Sequence, residues 1–155
     1  MYNRIWSRKE LTPQKLGVFC EYYAKMSIAS YGINVYTPIV DDQGIDFLFQ
    51  VGEEFRKVQV KAVREGTGYV FARKKYFDNR DHALYMLLML LTDGQDPEMY
   101  LIPAVAWSDP EDRVFVDRDY VGKKSEPEYG INLSLKNKHR LEPYRLDDIL
   151  KTLMI

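Results

Sequence analysis

The chain is expected to be an α/β (α+β) protein built on one mixed β-sheet flanked by helices, and three observations predict it. One long stretch carries helical periodicity, several short runs are rich in β-branched and aromatic residues, and the turn signals between them are closely spaced. The 155 residues suit one domain, 1–155, with a core over about 12–105 and a C-terminal extension over about 106–155. A hydrophobic content of 46% of all residues, with aromatic residues at 14% of all residues, argues against intrinsic disorder.

The helix begins at Thr12-Pro13, an N-cap followed by proline at the first helical position, and ends near Gly32. Leu16, Phe19, Cys20, Tyr23, Ser27 and Ser30 recur along one side, a stripe able to pack on a sheet. Glu21 falls at its border. Gly17, one turn earlier, leaves room beside that carboxylate, although a surface acid and an incidental glycine would look the same.

Three strands follow, Ile33 to Val40, Ile45 to Val51 and Phe55 to Val63, and Tyr69 to Arg73 reads as a further short strand. Ala83 to Leu91 and Met99 to Ile102 flank the turn cluster Thr92 to Pro97, which predicts a second hairpin. The continuous apolar run Leu84 to Leu91 is also compatible with a buried helix, and its length favours the strand. Ser108 to Gly130 is charged and proline-punctuated, a surface excursion with one short strand at Val114 to Val116. Asp147 to Met154 closes the chain as a helix.

Strand parity concentrates the chemistry in Gly44 to Lys61. Lys57, Gln59 and Lys61 share one face of their strand, while Val58, Val60 and Ala62 share the other. With Gly52-Glu53 as a two-residue type II′ loop, Val51 lies opposite Glu54 and Asp46 opposite Gln59. Side chains directly opposed in this way have Cβ atoms roughly 4.5–5.5 Å apart, close enough to touch one metal ion. Each residue also has a plainer explanation. Asp46 could bond within the turn Asp41-Asp42-Gln43-Gly44, and Gln59 and Lys61 could be the wet face of an edge strand.

Asp46 after a glycine, a hairpin, and then Gln59-Val60-Lys61 resembles the PD-(D/E)xK nuclease superfamily, in the branch whose second acid is glutamine. The resemblance runs over about residues 12 to 75, through Gly17, Glu21, Gly32 and Pro38, and is similar to small bacterial, homing-endonuclease-like and uncharacterised nuclease-fold proteins. It implies a restriction-endonuclease-like core and hydrolysis of DNA phosphodiester bonds with Mg²⁺, or Mn²⁺ in its place. The implied metal ligands are Asp46, the Gln59 side-chain oxygen, the Val60 carbonyl and Glu21, with Lys61 handling the attacking water and the charge on the phosphate. Gln59 in place of an acid lowers the ligand charge by one unit, so a nuclease-fold module that binds nucleic acid without cutting it stays open as the alternative.

Net charge near −1 gives no global attraction to DNA. The cations are instead concentrated between Phe55 and Arg80, where Arg64, Arg73, Lys74 and Lys75 are candidate phosphate contacts. Tyr69 and Phe71 could stack on unpaired bases or serve as ordinary strand-face aromatics. Double-strand cleavage would need two active sites, which raises a homodimer as an expectation. The single cysteine and the positions of His82 and His139 predict no zinc site, and no apolar run is long enough for a membrane helix. With no signal-peptide pattern at the start, the expected compartment is the cytoplasm.

Overall fold

The computed structural model describes residues 4–40, 43–109 and 113–155. Helix α1 spans Pro13–Ala29, with Thr12 Oγ1 accepting the Lys15 backbone N–H at 3.3 Å and proline in the first turn. The strands are β1 (Asn34–Tyr36), β2 (Phe47–Val51), β3 (Glu54–Arg64), β4 (Tyr69–Arg73), β5 (Leu84–Leu91), β6 (Glu98–Pro103), β7 (Phe115–Arg118) and β8 (Glu128–Asn132). Helix α2, Leu146–Leu153, ends the chain. Three 3₁₀ turns lie at Lys74–Tyr76, Ala104–Ser108 and Lys138–Tyr144.

Five strands form a mixed sheet in the order β1-β2-β3-β5-β6, and a separate three-stranded sheet has the order β4-β8-β7. All neighbours in the large sheet are antiparallel except β3 and β5, which run parallel from Lys57↔Leu84 to Arg64↔Leu91. Parallel neighbours need a long crossover. Here it carries β4 and the Lys74–Tyr76 turn.

Parity divides the apolar residues into two cores. Leu16, Cys20, Ala24 and Ile28 of α1, with Leu146 and Leu150 of α2, pack against Phe47, Phe49, Val58 and Leu87 on one face of the large sheet. Met86, Leu88, Tyr100 and Ile102 face the other way and meet Ala72, Trp107, Phe115, Tyr129 and Ile131, which belong to or flank the small sheet. The molecule is thus three layers: helices, large sheet, small sheet. The N-terminal segment is tied to the β5–β6 turn by the Trp6 indole, which donates to the Gln95 carbonyl at 3.0 Å. Cys20 is buried and its thiol is pushed up to about 11 by desolvation, as suits a packing residue.

The hairpin register agrees with the parity reading: Val51 pairs with Glu54 and Phe47 with Val58, around a turn with Gly52 at φ +61°. Leu84–Leu91 is a strand, buried on both faces because β3 and β6 flank it and each core claims alternate residues. The surface excursion expected over Ser108 to Gly130 holds more order than its charge suggests. It contains β7 and the start of β8, and the Trp107 indole donates to the Gly130 carbonyl at 2.8 Å. Asp41 and Asp42 of the expected turn lie outside the described residues.

Leu87 sits fully buried at the centre of the large sheet. Leu87→Ala should lower unfolding free energy by about 2–5 kcal/mol, read from the urea midpoint at unchanged slope.

Candidate functional site

The site arises from a mismatch in strand length. β2 has five residues and β3 eleven, and their pairing stops at Phe47↔Val58. Beyond Val58 the β2 side of β3 is open, so the Val60 carbonyl lies past the end of the ladder. Asp46 stands where β2 gives out. Its backbone N–H donates to the Val58 carbonyl at 2.9 Å, sharing the partner of Phe47 instead of moving on to Gln59, and its Oδ2 accepts the Val60 backbone N–H at 2.7 Å. The carboxylate therefore does for Val60 what the missing strand would have done.

Gln59 is 5% exposed. Its Nε2 donates to the Tyr76 carbonyl at 2.9 Å, which fixes the orientation of the amide and leaves Oε1 as the free acceptor of that group. A carboxylate at position 59 would set an oxygen against the Tyr76 carbonyl oxygen. This explains glutamine in place of an acid on local grounds. Gly44 completes the lock: it has φ +71°, and a Cβ there would fall 2.8 Å from Gln59 Nε2 and 3.0 Å from Tyr76 Cβ.

Lys61 is two residues along the same face of β3. Its pKa is lowered, first because burial disfavours the ammonium and further because of the Arg73 charge, while the nearby Asp46 carboxylate pulls the other way. Gly44, Asp46, Gln59, Val60 and Lys61 line one cleft of about 290 Å³ together with Phe71, Arg73 and Tyr76. The last three come from β4 and the 3₁₀ turn after it. Sequence reasoning proposed Arg73 for phosphate binding and Phe71 for stacking, but missed Tyr76, whose contribution is a backbone carbonyl and leaves no side-chain signature.

Not every candidate reaches this cleft. Glu21 forms an ion pair with Lys25 at 3.2 Å, on the helix that packs against the opposite face of the large sheet, and it is not among the lining residues. Arg64 also points away, donating to the Leu11 carbonyl. Lys74 is paired with Asp117 and, at 2.6 Å, with Asp119. Arg73 and Lys75 share the Glu126 carboxylate, Lys75 at 3.1 Å.

Asp46, the Gln59 Oε1 and the Val60 carbonyl are hard oxygen donors, as Mg²⁺ prefers, and a cation that keeps several waters needs only one or two protein carboxylates. The donor set fits that chemistry. Among the described residues no group of three or more His, Cys, Asp or Glu side chains is gathered as a metal site. No described helix is long and apolar enough to cross a membrane.

No family model matches the chain, and no curated protein does. Solved structures do. A bacterial homing endonuclease, I-Ssp6803I, superposes with a TM-score of 0.54 at 17% identity, over 92% of this chain and 91% of that one. The Holliday junction resolvase Hjc of Archaeoglobus fulgidus superposes with a TM-score of 0.54 at 10% identity, over 88% of this chain and 96% of that one. The chain thus has the restriction-endonuclease-like fold, helices and mixed sheet included.

Two consequences can be measured without added metal. Gln59→Glu should cost about 1–3 kcal/mol at neutral pH, because it removes a buried hydrogen bond and adds a charge. Its raised carboxyl pKa means the deficit should shrink as pH falls toward the ordinary carboxyl range, about 4.3. Lys61→Met should stabilise the protein at neutral pH. A depressed lysine pKa penalises the folded state while the ammonium is charged. Wild type should therefore recover as pH rises through the folded pKa toward the ordinary lysine value of 10.5, and chemical denaturation across that range reads the crossover.

Proposed function

We propose that the protein is a metal-dependent endonuclease that hydrolyses phosphodiester bonds in DNA. One observation carries the proposal: a carboxylate, an oriented amide oxygen, an unladdered carbonyl and a desolvated lysine converge on one open cleft with an arginine at its rim. That combination suits an anionic phosphorus centre attacked by water. The similarity to two nucleases in fold supports it.

Asp46, Gln59 Oε1 and the Val60 carbonyl would hold a Mg²⁺ ion, with Mn²⁺ as a substitute; when bound, it supplies positive charge at the phosphate and a more acidic water. The remaining work belongs to the chain. Lys61, already short of solvation, gives up a proton more readily than a surface lysine, so it can accept a hydrogen bond from the attacking water when neutral or donate to a phosphate oxygen when charged. Asp46 tunes that balance, since its charge favours the ammonium. Arg73 can clamp non-bridging oxygens in the bidentate manner a guanidinium allows. The Gly44–Gln59–Tyr76 contact keeps the amide from rotating when charge arrives.

The second reading is a module of the same fold that binds DNA without cutting it. It draws on Asp46 being the only acid among the described residues that line the cleft.

Supercoiled plasmid separates the two. Wild type should nick it with Mg²⁺ or Mn²⁺ and not in EDTA. Asp46→Asn is preferable to alanine because it keeps an acceptor for the Val60 N–H, and together with Lys61→Met it should lower nicking at least about 100-fold, the scale of losing a general acid–base group. Glu21→Gln should fall far less. Retarded DNA without metal-dependent nicking would favour the binding module.

A further inference from the structure

The outer face of the small sheet runs into the cleft and bears aromatic rings. On β4, Val70 and Ala72 turn inward to the second core, so Tyr69, Phe71 and Arg73 turn outward. Phe71 is 41% exposed and lines the cleft beside Lys61 and Arg73. A phenyl ring left this open gains little from burial. It is nonetheless held in place. Tyr69 stacks on it with ring centroids 6.1 Å apart and planes 22° from parallel, and the Arg118 guanidinium lies 4.4 Å from the Tyr69 ring centroid. The Tyr69 hydroxyl donates to buried Glu128 at 2.5 Å.

The strand opposite is shaped to allow this. Gly130 pairs with Phe71, and a Cβ there would fall 2.1 Å from the Tyr69 hydroxyl oxygen, so glycine leaves the space in which Tyr69 lies over β8. One end of the row is pinned and the other ends in an open ring at the mouth of the cleft.

We propose that Phe71 is a stacking platform for an unpaired nucleobase next to the scissile phosphate, so the preferred substrate is DNA with unpaired nucleotides at the cut rather than continuous duplex. The inference rests on the nuclease reading and deepens it. In continuous duplex, both faces of every base are covered by its neighbours. A displaced base offers its π-face, and its phosphate is one backbone step away, where Arg73 and Lys61 stand.

The test compares binding of a perfect duplex with that of the same duplex carrying a two-nucleotide bulge, by fluorescence anisotropy in Ca²⁺. Wild type should prefer the bulged DNA by at least about fivefold, the low end of what one base–aromatic stack supplies. Phe71→Ala should reduce that ratio to near one, while Phe71→Trp should keep or raise it. With 2-aminopurine in the bulge, binding should quench fluorescence in wild type and Phe71→Trp but not in Phe71→Ala. An unaltered ratio in Phe71→Ala, or no preference in wild type, overturns the platform. If plasmid is still nicked under either of those outcomes, the nuclease reading stands without it; if no DNA is bound or cut, both fall.

Discussion

The molecule turns on β3 being longer than its neighbour. An eleven-residue strand needs partners on both edges, and β5 supplies one along most of its length while β2 stops at Phe47. A backbone edge left open in a sheet normally invites another strand. Here the Asp46 carboxylate takes the Val60 N–H, the small sheet arches over the face, and the opening is kept as a cleft. Under the proposed function, structural and chemical demands on Asp46 coincide: the carboxylate that repairs the ladder is also the proposed cation ligand.

The polar groups of the cleft are coupled through a few short contacts. The Gln59 amide is oriented because Tyr76 takes its nitrogen, and that contact depends on Gly44 having no side chain. Lys61 is held between opposing influences, with burial and Arg73 favouring the neutral amine and Asp46 the ammonium. The cost is a charge stored in a poorly solvated place, as expected where a site is built for chemistry rather than for stability.

The hairpin was legible because every determinant was local: Gly52 set the turn, alternation set the faces, and register arithmetic gave the pairing from Val51↔Glu54 to Phe47↔Val58, beyond which Asp46 bonds to Val58 and Val60 instead of pairing with Gln59. The apolar run of β5 was legible as a strand from its length. Of the small sheet, β4 was legible over Tyr69–Arg73 and β7 in part, but the central strand β8 was not. β8 reads Glu-Tyr-Gly-Ile-Asn, with a glycine in the middle and polar residues at both ends, and its strand character comes from pairing with β4 and β7 rather than from its own propensity. The same non-locality hid Tyr76, which acts through its backbone. It also governs the basic cluster: Arg73, Lys74 and Lys75 looked like free cations because Asp117, Asp119 and Glu126, 43 to 53 residues further along the chain, gave no hint that they would fold back onto them.

That fold-back changes what the cluster can feel. Lysines and arginines on an open surface are accompanied by mobile salt ions, and a polyanion that displaces those ions gains entropy that disappears at high salt. Around the cleft the companions are covalently attached carboxylates. A phosphate arriving at Arg73 or Lys75 exchanges with Glu126 instead of freeing an ion into solution, so contacts on this rim contribute less to salt sensitivity than their number of positive charges would indicate. Attraction at a distance is muted too, since each paired cation presents little net field beyond about one Debye length. Discrimination at this surface then falls to groups that act only at contact, by shape and hydrogen bonding.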